Sequence, residues 1–324
     1  MLKRIWLGIA GVVAAVLVAA VVGLTWAHLA IRRDRAPLPN LAEVLATAAS
    51  ASDAAERPIA LHWINTASQA MGRSAVLDAK RDPEPARPYV MSYPAFVLEW
   101  ADGRLLLIDL GMTREGALDF GKPIEWLAGA SAIEPHGSVA ERLGAARSRV
   151  AGVIFTHLHL DHVGGLTELC SGRDRPLRVL MTEAQTRRPN FTTRPGLRVV
   201  NTARCAKPET IASGGLVSAP GFPGVYVIAA GGHTPGSQII VAQVGAAPRQ
   251  RGFVFTGDTV NNLDGVLHDV PKPFLYRLLI VPEDEQRQAE LRHFLREIHD
   301  TGAFTLLVSH DQLSIEQGGI EPWQ

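Results

Sequence analysis

The sequence has no excess of either charge. Its 32 basic and 32 acidic side chains balance to a net charge of zero, and the basic ones are scattered. A chain without a basic stripe has no electrostatic footprint for nucleic acid, and one without a single-sign block offers nothing to a polyanionic partner. Cysteine is nearly absent, at two residues in 324, too few for a disulfide framework. Cys170 and Cys205 could pair in an oxidising compartment, but two unpaired buried thiols are the favoured reading. No cysteine stands near the end of the N-terminal apolar segment, which argues against a lipid-modified N-terminus. Internal repeats are missing, and so are low-complexity tracts beyond one Ala-rich stretch, so solenoid architectures are excluded.

What is present is a globular composition, 47% hydrophobic and 20% charged, preceded by a long apolar run. From Ile5 to Ile31 no residue is formally charged, which is long enough to cross a bilayer as a helix. Lys3 and Arg4 flank it on one side and Arg32, Arg33 and Arg35 on the other, with Trp6 and Trp26 where interfacial aromatics sit. A retained anchor is favoured over a cleaved signal peptide, because the run exceeds a usual signal core and Thr25, Trp26 and Ala27 make only a fair cleavage site. The flanking basic residues are nearly balanced, so orientation rests on position. A single apolar segment at the extreme N-terminus normally starts export of the chain beyond it, which places the body on the extracytoplasmic side. The expected division is an anchor with its flank over 1–36, a linker with a short helix over 37–57, and a compact domain over 58–324. Asn40 to Glu43 opens the short helix in a capping-box pattern.

Ile59 to Ile64 is predicted as the first strand. Tyr93 to Trp100 and Arg104 to Asp109 are strand-like runs separated by Ala101, Asp102 and Gly103, and the Asp-Gly pair predicts a hairpin. Pro123 to Leu143 predicts one or two helices amid Gly and Pro punctuation. Arg149 to Phe155 reads as a buried strand leading straight into a histidine-rich run. Further strands are expected at Leu177 to Met181, with a helix from about Thr182, and at Val225 to Ala229, Gln238 to Val244, Phe253 to Phe255 and Phe304 to Val308. Pro282 to Glu285 opens an amphipathic helix through Ile298, its first-turn acids favoured by the macrodipole. Each suspected ligand lies just past a strand's C-terminal end, where sites are built on a rigid sheet. Mixed hairpins and strand–helix units predict two sheets covered by outer helices.

The histidine-rich run holds His157, His159, Asp161 and His162. Alternate residues past a strand project the same way, so His157 and His159 can hold one ion. Asp161 and His162 suit a second cation, since imidazole and carboxylate together match zinc and iron. Three imidazoles and an acid within six residues would be costly to bury without a metal. Gly164 and Gly165 let a following helix pack tightly.

This pattern resembles the metallo-β-lactamase superfamily, whose H-x-H-x-D-H motif matches His157, His159, Asp161 and His162. The resemblance runs from about Pro58 to the C-terminus and includes His233 within Gly232 to Gly236, Asp258 within Phe255 to Asp258, and His310. It implies an αββα sandwich of α/β class and two divalent ions, zinc with iron or manganese as alternatives. His157, His159 and His233 would hold the first ion, Asp161, His162 and His310 the second, and Asp258 would bridge them. It also implies a metal-dependent hydrolase in which a shared, bridging hydroxide attacks the substrate, with Asp161 and Asp258 as catalytic acids and Asp161 carrying a proton to the leaving group.

Departures narrow the substrate. True β-lactamases have Cys or Ser where Asp258 stands, which argues against β-lactam hydrolysis. Hydroxyacylglutathione hydrolases carry a C-terminal helical region, whereas this chain stops fourteen residues after His310. The nearest resemblance is to quorum-quenching lactonases, through Tyr93 to Phe96, Thr234 to Gly236 and the pair His310 and Asp311. Those enzymes place a substrate-contacting tyrosine three residues after the bridging aspartate, where this chain has Asn261. Tyr276 on the following loop is a candidate to replace it. That loop, Leu263 to Val281, is apolar and either walls the pocket or lies against the core or the membrane. Tyr276, Phe274 and His268 are therefore the candidate substrate contacts. His136 also lies in a loop, while His28, His62, His293 and His299 read as structural. The expected activity is ester or lactone hydrolysis on a small molecule. A phosphodiesterase or thioesterase of the same fold, or a non-catalytic membrane-tethered binding module, is the alternative.

Overall fold

Apolar residues alternating along short strands give each sheet two buried faces. The computed structural model describes residues 2–49, 56–212 and 214–324. Its strands are β1 (Ala60–Met71), β2 (Tyr89–Glu99), β3 (Leu105–Ile108), β4 (Glu134–Pro135), β5 (Val150–Ile154), β6 (Leu177–Thr182), β7 (Ala206–Ile211), β8 (Leu216–Ser218), β9 (Val225–Ala229), β10 (Gln238–Val244), β11 (Arg251–Phe255), β12 (Phe304–Leu307) and β13 (Glu321–Pro322). One sheet runs β13-β1-β2-β3-β5-β6-β7 with β4 on β1, and the other runs β12-β11-β10-β9-β8.

The period of two assigns the faces. Phe96, Leu98, Leu106 and Ile154 of the first sheet meet Val227, Ile240, Phe253 and Phe255 of the second in one core, with the Phe96 and Phe255 rings 4.8 Å apart. The alternate residues Val97, Leu107, Val153 and Val179 face outward onto Leu166, Leu169 and Val200 of covering helices. Ile239, Val241 and Val254 of the second sheet meet Leu291, Leu295 and Ile298 of helix Glu285–Asp300. The result is the helix, sheet, sheet, helix layering expected of the αββα sandwich. Strands β3, β5 and β6 are parallel, as are β11 and β12, so their C-terminal ends deliver loops to a common edge.

The hairpin forms as predicted, with Trp100 N–H donating to Arg104 O (3.1 Å) and Gly103 at φ 83°. Two expectations are corrected. The helix predicted from Pro123 begins at Arg114 and runs to Ala128, because Thr113 accepts from Gly116 N–H and caps it there; Pro123 lies in its interior on the exposed side. The two cysteines are bonded, with Cα atoms 5.3 Å apart. Cys170 ends helix Leu166–Cys170, and Leu177 N–H donates to Cys205 O (2.8 Å) just ahead of β7, so the pairing of β6 with β7 brings the thiols together.

Leu2–Arg32 is one helix, and its stretch Ile9–Arg32, with mean hydropathy 2.4, is long and apolar enough to cross a membrane. Its last turns dock on the body through buried Ala27 and Ile31. The flank beyond is fastened by polar contacts. Arg35 donates twice to Asp284 (2.6 and 2.7 Å), Arg287 donates to Ala36 O (2.7 Å), and the Asp34 carboxylate accepts from Arg188 (3.0 Å) and from Gly236 N–H. Helix Leu41–Ala49 carries the predicted capping box, with Asn40 N–H to Glu43 at 2.8 Å and Glu43 N–H to Asn40 at 2.9 Å. It packs on the second sheet through Val44.

Candidate metal centre

Past β5 the chain stays extended through His157 to His159, which is the N-cap of a helical turn at Leu160–Val163. The turn therefore starts inside the motif, earlier than Gly164 suggested, and carries Asp161 and His162. Gly165 is needed for close approach, since a Cβ there would lie 2.5 Å from Leu110 O. Gly257, at φ +51°, presses the β11 loop onto β5; a Cβ would fall 2.8 Å from Thr156 Cβ. That contact brings Asp258 to the histidines. His233 arrives on the loop between β9 and β10, and His310 follows β12.

The structure brings all seven together and buries them. They form two groups, His157, His159, His233 and Asp258, and Asp161, His162 and His310, with the donor atoms of each group within 4.8 Å of one another. Between the groups, Asp258 Oδ1 lies 3.2 Å from His162 Nε2 and 3.1 Å from His310 Nε2, while its Oδ2 lies 3.5 Å from His233 Nε2.

Outer partners fix which nitrogen of each ring faces inward, as is usual for ligating imidazoles. His162 Nδ1–H donates to Asp109 (2.9 Å), His310 Nδ1–H to Ser92 O (2.8 Å) and His233 Nδ1–H to Glu283 (2.6 Å). In all three, Nε2 is left with its lone pair inward. His159 is turned the other way, its Nε2 meeting Thr192 Oγ1 at 3.0 Å, so Nδ1 is the free nitrogen. Asp109 also accepts from Thr156 N–H (2.8 Å) and Thr156 Oγ1 (2.7 Å), tying β3 to β5.

Burial pushes the imidazoles of His157 and His159 well below their usual range, helped by the neighbouring His162 and His233 rings respectively. Burial and the Lys272 ammonium lower His233. Burial acts the same way on His162 and His310 but is outweighed, at His162 by the Asp109 and Asp258 carboxylates and at His310 by Asp258. Burial raises Asp161. It would raise Asp258 as well, but His310 and His162 hold that carboxyl well below its usual range.

The Nε2 atoms of His157 and His233 and the Oδ1 atoms of Asp161 and Asp258 are buried without a hydrogen-bond partner. Orphaned polar atoms cost about 1–3 kcal/mol each, and four converging on one space is the arrangement a cation relieves. Neutral imidazoles with two carboxylates fit two divalent ions.

Several contributors escaped the sequence patterns. Glu283 looked like a helix-start acid but is buried ahead of the helix, accepting from His233 and from Lys272 Nζ (2.6 Å). Lys272 also donates to Asp258 O. Burial alone would raise Glu283, yet the Lys272 ammonium holds it below its usual range. Only the clustering of Lys and Glu on either side of an apolar turn hinted at this pair. Among the candidate substrate contacts, Tyr276 is half-buried, with its phenol raised well above its usual range by burial and by the charges of Glu283, Asp258 and Asp161. Its ring lies 5.7 Å from Lys272 Nζ. Phe274 is exposed, and His268 is exposed beside Asp264 at 3.9 Å; among the described residues no hydrogen bond or ion pair joins either to the seven. His136 meets Ser68 Oγ at 2.9 Å on the surface.

A cleft of about 630 Å³ lies between the N-terminal helix and the body and reaches Glu283. A second cavity of about 350 Å³ lies between Tyr89, Asp264 and Asp311 and is lined by none of the seven. Asp311, though next to His310, uses its carboxylate to accept from Leu263 and Ser314 N–H groups.

The fold is similar to solved structures. An N-acyl homoserine lactone hydrolase with the product N-hexanoyl-L-homoserine at its catalytic metal centre superposes with a TM-score of 0.57 at 16% identity, over 81% of this chain and 96% of that one. A B. thuringiensis mutant enzyme with N-decanoyl-L-homoserine at its active site gives 0.58 at 16% identity, over 81% and 96%. A probable metal-dependent hydrolase from Staphylococcus aureus gives 0.54 at 16%, over 79% and 90%. At these identities the likeness speaks for the fold alone. No curated protein sequence matches the chain. The family model described as Metallo-beta-lactamase superfamily matches residues 89–300, more than half of the sequence, and the chain belongs to that superfamily.

Proposed function

We propose that this protein is a metal-dependent hydrolase acting on an ester or lactone. The observation that carries the reading is the convergence of seven buried donors, in which four imidazoles have their outward nitrogens already committed elsewhere, leaving lone pairs aimed at a common space. His157, His159 and His233 would hold one ion, Asp161, His162 and His310 the other, and Asp258 both. Bound there, two divalent ions supply a water of lowered pKa as nucleophile and Lewis acids for the scissile group.

The chain's own residues do the remainder. Asp258, kept ionised by its imidazole neighbours, spans the two groups. Asp161 keeps one oxygen free of hydrogen bonds and is the carboxyl that burial makes readiest to hold a proton, so it suits transfer to the leaving oxygen. Tyr276 takes the place that Asn261 cannot fill: its ring stands within the field of both carboxylates. Lys272 and Glu283 brace the His233 side from behind. The preference for an ester or lactone over a phosphodiester rests on the likeness to lactonases in sequence motifs and fold.

The helix Leu2–Arg32 is read as a retained anchor, with the body on the extracytoplasmic side. The Cys170–Cys205 bond supports that side, since disulfides persist in oxidising compartments.

Metal analysis of the full-length protein, with a panel of lactones, thioesters and phosphodiesters, tests the reading. About two ions per chain with lactone ring opening is the expected result. A chain that binds no metal refutes it, and two ions with turnover confined to phosphodiesters or thioesters refutes the substrate class.

A further inference from the structure

The segment between Lys272 and Val281 has two faces of opposite character. Its inner face carries Tyr276 toward the candidate metal centre. Its outer face exposes Phe274 (61%), Leu275 (64%), Leu279 (51%) and Ile280 (52%). Leu275 and Leu279 are four residues apart on a wide turn in which Arg277 N–H donates to Pro273 O (3.1 Å) and Val281 N–H to Tyr276 O (3.0 Å), so they share a side. A soluble surface gains nothing from four adjacent large apolar side chains.

The place of this patch identifies what covers it. The His28 imidazole of the N-terminal helix donates to Leu278 O (3.1 Å), in the middle of the patch. Trp26, exposed and two residues earlier, lies only about 3 Å away along a helix axis rising 1.5 Å per residue, and tryptophan at a span's end marks the headgroup level. Arg32 and Arg35, on the side of the body, line the cleft that continues past Phe274 and Leu278 to Glu283, the acceptor of His233. The helix is not a swinging tether, because Asp34, Arg35 and Ala36 are bound to Gly236, Arg188, Asp284 and Arg287. A membrane crossed by this helix therefore meets the patch at a fixed height and angle.

We propose that residues 274–280 form a second membrane contact, inserted into the bilayer surface beside the anchor, so that the cleft between the N-terminal helix and the body opens at the lipid boundary.

The test places nitroxide labels on the full-length protein in phosphatidylcholine nanodiscs. The described residues contain no free cysteine, so Phe274→Cys and Leu279→Cys can be labelled singly, with Trp26→Cys as the interface reference and Asp102→Cys, on the β2–β3 hairpin, as the solvent reference. Power-saturation spectra with oxygen and a nickel chelate report depth. Labels at Phe274→Cys and Leu279→Cys are expected about 5–10 Å below the headgroup level, with Asp102→Cys in water. Accessibilities at 274 and 279 equal to that at 102 overturn the proposal. Depth without any ester or lactone hydrolysis supports the membrane contact and overturns the hydrolase reading instead.

Discussion

Replacing Asp109 by Asn should weaken one of the two metal positions while leaving the backbone in place. Asp109 stands at φ 57°, a left-handed conformation that Asn tolerates about as well as Asp, so Asp109→Asn changes charge and hydrogen bonding alone. The carboxylate accepts three bonds, from Thr156 N–H, Thr156 Oγ1 and His162 Nδ1. An amide has one oxygen. With that oxygen on Thr156 N–H, the amide NH2 points at Thr156 Oγ1 and His162 Nδ1. His162 can answer it only by moving its proton to Nε2, the nitrogen that must stay bare to bind metal. Outer-partner losses of this kind cost about 10–100-fold in metal affinity, or about 1.4–2.8 kcal/mol at a decade per 1.4 kcal/mol. The assay titrates metal-stripped protein with zinc against a chromophoric chelator. One of two binding steps should weaken by that factor and the other stay put. Two unchanged steps would refute the reasoning, because His162 would then owe its tautomer to something other than Asp109.

Other parts of the molecule carry three further expected outcomes. Asp258→Ala should lower bound metal from about two ions to about one and abolish most turnover; unchanged metal content by elemental analysis would remove Asp258 from the bridge. Asp82 is held below the usual carboxylate range by the Arg73 guanidinium, and the pair is buried at 2.7 Å. Its contribution is complete above the unfolded value of about 3.9 and lost as pH falls through the lower folded value. Because Arg73 keeps Asp264 as a second partner at 2.8 Å, Asp82→Asn should cost about 1.5–3 kcal/mol at neutral pH in denaturant titrations, a gap that closes on acidification; a gap that ignores pH contradicts the assignment. The bond from Cys170 to Cys205 closes a 35-residue separation, so the paired Cys170→Ala and Cys205→Ala variant should lose about 4 kcal/mol by loop-entropy arithmetic, and an unchanged unfolding midpoint would deny that bond a stabilising role.

What was legible in the sequence was local. Strand cores such as Val150–Ile154 and Val225–Ala229 announce themselves by composition, and ligand candidates sit just after them, so motif and fold could be read together. The capping box at Asn40 and the hairpin at Asp102 are also set by neighbours in sequence. What escaped depends on distance. Glu283 reads as a helix-start acid until the loop after β9 places His233 against it. Cys170 and Cys205 show no adjacency until β6 and β7 pair. Arg35 and Ala36 read as no more than the anchor's flank because their partners, Asp284 and Arg287, lie 249 and 251 positions away.

Those same long separations order events during synthesis. Asp34 and Arg35 leave the ribosome early, but Gly236 and Asp284 emerge 202 and 249 residues later, and loop closure over such distances is slow. The first part of the body to be made is thus among the last to be locked. His310 comes after both, so the position it shares with Asp161 and His162 cannot close until β12 is in place. An ion held by Asp161, His162 and His310 would thus be taken up late, and a nascent chain arrested before residue 310 carries an incomplete second group of donors however well its first sheet has formed.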